Sequence, residues 1–545
     1  MNLKIKNPKI KIFFLAILFI AIFGMSAKAS AATYYVKNGG NDALSGLDDA
    51  NAWAHCPGMP NWSGAVTLAN GDTVYFRSQD IWAAPTGSRV LAIGIANVTY
   101  DGETYGSGTR AKFEAIGDHS NGAYGMVDLS TSNTIFRGFE LDGNDYWNSG
   151  ILIGNSATEN ITNIMIDNVD VHDIMDTGDS NVTGHWGYGI NVISTANPGI
   201  VTSNLSILNS SFHNNNHEGI AMYAPWGYPG NKIDGVLIRN CVSRDNGSAL
   251  GAGCGLEMAN DVDNVTVEYS TLINNNGYGI VVRTSPEGEN GAPNNFIARN
   301  NLISGNVLYG VAITNVQGLS ETASFYNNLI YNNGITNANG NGAEFALAGG
   351  YDYTGSVFNV YNNTIYSTGN ENTNFKAVVA IGFFGVNTGE PEVNFRNNIV
   401  YGDDLIPVID QYNVMTHSNN LVYRSSGLSD THISSGTSYN RAGVLTWEAS
   451  AQTTDPNFTG GTLPTGFNGT YGTNMLPNTN YFATISGPTI NTGATLGSPY
   501  NLSINSAGFT SPFLRPQGGA YDIGAYELQG ADTVPPSVPS GLAVE

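Results

Sequence analysis

Short apolar runs with a period of two recur along most of this chain, separated by polar turns. One run reads Gly-apolar-x-apolar: Gly150-Ile-Leu-Ile153, Gly189-Ile-Asn-Val192, Gly219-Ile-Ala-Met222, Gly255-Leu-Glu-Met258, Gly279-Ile-Val-Val282 and Gly310-Val-Ala-Ile313. A second alternating run ends in Asn, as in Ile164-Met-Ile-Asp-Asn168, Leu205-Ser-Ile-Leu-Asn209, Val236-Leu-Ile-Arg-Asn240, Phe296-Ile-Ala-Arg-Asn300, Phe358-Asn-Val-Tyr-Asn362 and Val393-Asn-Phe-Arg-Asn397. A period of two turns successive side chains to opposite faces of a strand. A repeat of roughly two to four dozen residues matches one solenoid coil with loops of variable length. The pattern predicts an all-β parallel β-helix, whose core grows lengthwise.

Within the Gly-Ile-x-Val strands the flanking apolar residues must face inward and the residue between them outward. That outward column reads Leu152, Asn191, Ala221, Glu257, Val281 and Ala312, and two positions on it reads Gly154, Ile193, Tyr223, Ala259, Arg283 and Thr314. The position before the glycine reads Ser149, Tyr188, Glu218, Cys254, Tyr278 and Tyr309. Coils stack ~4.8 Å apart, which gathers Tyr188, Asn191, His217, Glu218, Tyr223, Glu257, Tyr278 and Arg283 on one wall. Long segments flank this wall on both sides, at 194–203, 224–234 and 284–294 and at 174–186 and 246–253, so a groove is expected. Trp186, Trp226 and Tyr228 would add flat faces suited to sugar rings. At the turn entering the strand, His172, His213 and Arg244 form a second column, followed by Asp173, Asn214 and Asp245, with Asp176, Asp179 and His185 in the adjoining loop.

Composition agrees. The chain has 67 Gly and only 12% charged residues, a poor helical composition and a good one for turns and short strands. Residues 1–31 read as a secretory signal peptide: Lys4, Lys6, Lys9 and Lys11 precede an apolar stretch, and Ala27-Lys28-Ala29 offers a small-residue cleavage site. No later segment reads as a membrane span, so the mature chain is expected to be secreted, or held at the cell surface, without inserting into a membrane. Removing that segment takes five cations and no acids, leaving 16 Lys and Arg against 44 Asp and Glu, and the formal charge goes from −23 to −28. So acidic a chain disfavours nucleic acid and anionic lipid as partners. Three cysteines give no disulfide framework. A monomer is expected, with residues 32–145 as N-terminal cap and first coils, 146–430 as central coils and 431–530 as closing coils. Residues 531–545 are a Pro-rich linker that resembles the entry to a fibronectin type III module.

Thr33-Tyr-Tyr-Val-Lys-Asn-Gly-Gly-Asn-Asp42 and Gly71-Asp-Thr-Val-Tyr-Phe-Arg77 resemble the opening strand and first coil of the bacterial secreted right-handed parallel β-helix proteins of the pectate-lyase-like superfamily. Ser486-Gly-Pro-Thr-Ile-Asn-Thr-Gly493 and Tyr521-Asp-Ile-Gly-Ala-Tyr-Glu527 resemble their closing segment. The resemblance implies a single-stranded, right-handed β-helix solenoid with N- and C-terminal capping segments. That superfamily holds polysaccharide lyases, glycoside hydrolases, uronate epimerases and non-catalytic surface proteins. Asn215-Asn-His-Glu218 keeps only the His-Glu half of the Asp-Pro-His-Glu of alginate epimerases. The paired Asp and Gly-His-Gly of polygalacturonases and the pectate-lyase Arg signature are absent.

Three functions stay open. In a lyase on a uronate-containing glycan, His217 or Tyr188 moves the proton, Glu218 orients His217, and Arg283 holds the substrate carboxylate. Asn191, Tyr223, Trp226, Trp186, Tyr278, Arg244 and His185 would bind substrate, with Ca²⁺ held by Asp173, Asp176 and Asp245. In an inverting hydrolase, Glu218 and Glu257 act as the pair: their backbones are expected ~11 Å apart, and their side chains would span the ~6.5–9.5 Å of an inverting enzyme rather than the shorter retaining spacing. In a glycan-binding surface protein, the wall only binds. Arg239 aligns with Asp167, Glu268 and Arg299, which reads as a surface charge ladder.

Overall fold

The computed structural model describes residues 31–528 except 85–87, 117–124, 147, 176–186, 194–196, 225–228, 248–252, 284–292, 315–321, 335–341, 349–352, 369–376, 384–388, 428, 461–479, 483, 485, 505–512 and 518. The signal-peptide reading (but for Ala31), the Pro-rich linker, and Asp176, Asp179, His185, Trp186, Trp226 and Tyr228 lie outside the described residues.

Each coil contributes one strand to each of three long sheets, and neighbouring coils pair in parallel. Sheet A has 13 strands and carries the Asn-terminated runs, sheet B has 12 shorter strands, and sheet C has 13 and carries the Gly-apolar-x-apolar runs. In sheet C only the last strand, Thr437–Tyr439, pairs antiparallel. The fold is a right-handed parallel β-helix.

The register is the one set by the alternation. Ile190, Ile220, Leu256, Ile280 and Val311 align, as do Asn191, Ala221, Glu257, Val281 and Ala312. The inward residues, including Met222 and Met258, are fully buried in one continuous core that runs the length of the coils. A one-residue slip would turn that apolar set to solvent, so register is strongly specified. Cys56, Cys241 and Cys254 are buried thiols, none of them in a disulfide.

The asparagines make the corners. Asn168, Asn209, Asn240, Asn300, Asn362 and Asn397 all have φ between 48° and 57°, a region that Asn enters more readily than most L residues. Two further ladders are fully internal. Asn215, Asn246, Asn275 and Asn306 each donate Nδ2 to the next coil, at 2.9, 2.9, 2.9 and 2.8 Å, and Asn333 ends the ladder by donating at 2.6 Å to the Glu344 carboxyl of its own coil. Asn301, Asn328, Asn363, Asn398 and Asn420 do the same at 3.1, 3.0, 3.0, 3.2 and 2.9 Å and end on Glu448. Each ladder runs amide to amide in one direction, so its last amide donor needs an acceptor. A glutamate carboxyl oxygen supplies it.

Candidate functional site

The outer face of sheet C over four successive coils carries the polar cluster. Strands Tyr188–Ile193, Ile220–Tyr223, Leu256–Ala259 and Tyr278–Arg283 supply it, with His217 and Glu218 at the turn into the second of these. Small residues open the room. Ala221 lies between Asn191 and Glu257, and Ala259 between Tyr223 and Arg283. Long side chains from flanking coils can therefore meet over an alanine.

Glu218 and Glu257 are 1% and 2% exposed. A carboxylate oxygen of each and the Cys254 sulfur all lie within 4.8 Å of one another. Each also holds a more exposed partner. Glu218 Oε2 bonds the Nδ1 of His217, and Glu257 Oε1 pairs with the Nε of Arg283. His217 and Arg283 side chains retain 19% and 46% of their exposure. The Tyr188 ring packs 5.5 Å from the His217 ring and 6.3 Å from that of Tyr223. Tyr223 lies close enough to Glu218, Glu257, Tyr188 and Arg283 to interact with each electrostatically.

Protonation follows from burial. Desolvation raises both Glu218 and Glu257, and the neighbouring Glu218 raises Glu257 further, so the pair holds a proton near neutral pH. Burial lowers His217, keeping its imidazole neutral, while the same burial and the two carboxylates hold Tyr188 and Tyr223 protonated far above the usual phenol range. Burial works against the Arg283 charge, but Glu257 and Tyr223 more than offset it. The site thus presents a neutral imidazole, two phenols and a fixed guanidinium, over a protonated carboxyl pair.

The structure brings together His217, Glu218, Glu257, Arg283, Tyr188 and Tyr223. Asn191 lies beside them, 7% exposed, with its Oδ1 lacking a hydrogen-bond partner among the described residues. The expected inverting spacing is not what forms. The two carboxylates come closer than 6.5 Å, with an oxygen of each within 4.8 Å of the other. Tyr278 stacks on Tyr309 at 5.6 Å and 7° and packs against Cys254 as apolar floor. Arg244 sits in the sheet B column with His172 and His213 and pairs with Asp245 at 2.6 Å. Of the three expected calcium ligands, Asp176 lies outside the described residues, and Asp173 and Asp245 are placed on the corners of sheet B. They are left-handed corner residues two coils apart, with Asn214 between them, and each is tied to its own neighbour, His172 at 2.7 Å and Arg244. Cys254 was legible only as a member of a column; its place against both carboxylates depends on side-chain tilt that alternation does not encode.

Residues 175–365 match the family model described as "Right handed beta helix region". No curated protein matches the chain. Among solved structures, the A-module of the mannuronan C-5 epimerase AlgE4 of Azotobacter vinelandii is 16% identical, with a TM-score of 0.39 over 59% of this chain and 88% of that one. Pectate lyase Pel9A is 16% identical at a TM-score of 0.40, over 92% and 98% of the two chains. The GH136 lacto-N-biosidase of Eubacterium ramulus is 11% identical at 0.35, over 78% and 67%. Likeness at this level concerns the fold alone. The three parallel sheets and the family match together identify the chain as a right-handed parallel β-helix protein.

Proposed function

We propose that this protein is a carbohydrate-active enzyme, a lyase that cleaves a uronate-containing polysaccharide by β-elimination at the sheet C site. One observation carries the reading: the exposed groups are His217 and Arg283, and a buried glutamate backs each of them. A neutral imidazole bonded through Nδ1 presents Nε2 as a base. Nε2 takes the proton from C5 of a uronate ring whose carboxylate lies on Arg283, where the guanidinium stabilises charge as it becomes enolate-like. The C5 electrons form the C4=C5 double bond, the C4–O4 bond breaks, and the Tyr188 hydroxyl gives its proton to the departing oxygen. The Tyr188 phenolate is then reprotonated as His217 gives up its proton, so no water is consumed.

The closeness of Glu218 and Glu257 favours a second reading, a hydrolase of the retaining kind, whose carboxyl groups stand ~5–5.5 Å apart. Against it, both carboxyls are at most 2% exposed and already engaged, whereas a nucleophile and an acid must both reach the sugar. The test is ultraviolet absorbance during incubation with pectate, alginate and hyaluronan. A rise that disappears in His217→Ala supports elimination. New reducing ends without absorbance would replace it with hydrolysis, and retention of polymer without turnover would leave a binding protein.

A further inference from the structure

The middle coils carry a second concave surface on another side of the helix. A cavity of about 360 Å³ opens on the outer face of sheet A, lined among others by Ser206, Gly235, Leu237, Thr266, Arg239 and Arg299. Its origin is one missing side chain. Sheet A strands bend at a column of left-handed residues that reads Asn133, Asn163, Asn204, Gly235, Asn264 and Asn295. Amides stack along this column at 2.8 Å between Asn163 and Asn133, at 3.3 Å between Asn204 and Asn163, and at 2.7 Å between Asn295 and Asn264. Gly235 breaks the stack and leaves a hollow between Asn204 and Asn264.

At one edge of that hollow is a fixed pair of cations. Glu268, 0% exposed, accepts from Arg239 on one neighbouring coil and from Arg299 on the other, the latter at 2.6 Å. Arg299 is further held by the Tyr326 hydroxyl at 3.1 Å. A carboxylate buried this deeply is costly unless paired; here it draws together two guanidiniums whose backbones stand ~10 Å apart across three coils. The triad keeps one net positive charge on a chain whose formal charge is −23. Leu237 projects from the floor half-buried, with the hydroxyls of Ser206 and Thr266 in register on either side of it.

An apolar patch flanked by hydroxyls and edged by guanidiniums matches a sugar ring that carries a carboxylate. We infer that the sheet A hollow is a second, non-catalytic binding site for a carboxylate-bearing saccharide, separate from the sheet C site. Its observations are independent of the lyase reading, and a binding protein would carry it equally well.

Gly235→Asn tests it without touching a charge. The Gly235 φ of 77° suits Asn, and an added Cβ would meet the Asn204 side-chain oxygen at 3.3 Å and its backbone nitrogen at 3.6 Å, so the change refills the hollow. Arg239→Gln/Glu268→Gln/Arg299→Gln removes the cations without stranding a buried charge. The readout is migration in native gels containing polygalacturonate, alginate or dextran. The protein should be retarded by the two acidic polymers and not by dextran, with apparent affinity falling about tenfold in both variants, the scale of one charge-assisted contact. His217→Ala should remain retarded whether or not it turns over substrate. Retardation that survives both variants, that is lost in His217→Ala, or that is missing from all three gels overturns the assignment.

Discussion

Glu218 and Glu257 stand on neighbouring coils with carboxylate oxygens within 4.8 Å of each other, and there one holds His217 while the other holds Arg283. The base and the cation of the proposed reaction are therefore coupled through a single buried carboxyl pair. Disturbing either glutamate should be felt at both exposed groups.

Glu218→Gln should cut turnover by about 10²–10⁴-fold, because the amide keeps the shape but can donate to Nδ1 and no longer fixes the tautomer that leaves Nε2 free. Arg283→Ala should raise KM for acidic polymer as well as lower kcat. Initial rates and thermal unfolding together check this. Full turnover in a folded Glu218→Gln variant would exclude His217 as the base.

The internal Asn ladder should behave as one hydrogen-bonded unit. Asn275 Oδ1 accepts from both the backbone N and the Nδ2 of Asn246, at 3.2 and 2.9 Å, and all of these groups are buried. Asn275→Ala should cost about 2–4 kcal/mol, the price of stranding two buried donors. Urea unfolding should show a lower midpoint at unchanged slope. A loss under about 1 kcal/mol would mean the ladder relaxes around the gap.

Glu344 should make stability fall as pH rises. Burial lifts its carboxyl from 4.5 to about 8 despite the donors of Asn333. Between those values the unfolded chain releases the proton that the folded chain retains, so the stabilisation is complete below 4.5 and is lost as pH climbs through about 8. Glu344→Gln keeps an acceptor for Asn333 and should flatten the decline between pH 5 and 9 by on the order of 2–4 kcal/mol. Identical pH profiles for the two proteins would contradict the assignment.

His172 should stay charged well above neutrality. Burial alone would lower it, but Glu140, Asp173 and Asp142 outweigh that and raise it to about 9. Lys112 lies among the same acids, at 3.3 Å from Glu140 and 2.8 Å from Asp142, and the His213 ring stacks at 5.0 Å. The stabilisation is complete below 6.5 and disappears as pH rises through about 9. A proton-NMR titration of the His172 ring should find its midpoint near 9, and a midpoint near 6.5 would show that the acids are spent on Lys112.

The sequence by itself determined the coil, its register and the columns. Alternation assigns each residue of Gly219-Ile-Ala-Met222 to the core or the surface, because a strand has only two faces and exposing Ile220 and Met222 to water is costly. Stacking such strands then dictates that Tyr223, Ala259 and Arg283 follow one another. The column rule could not fix the distance between side chains in different columns. It left Glu218 and Glu257 at an inverting separation, and tertiary structure closed that gap over Ala221. It offered Asp173 and Asp245 as metal ligands, whereas the corner backbone uses them for positive φ. It read Asn168, Asn209 and Asn240 as a ladder but not Asn215, Asn246 and Asn275, whose role follows from burial and a terminal carboxylate supplied by Glu344. Periodicity in the chain fixes direction, in or out. Length, tilt and desolvation of side chains decide which outward groups meet, and those arise only when the coils are packed together.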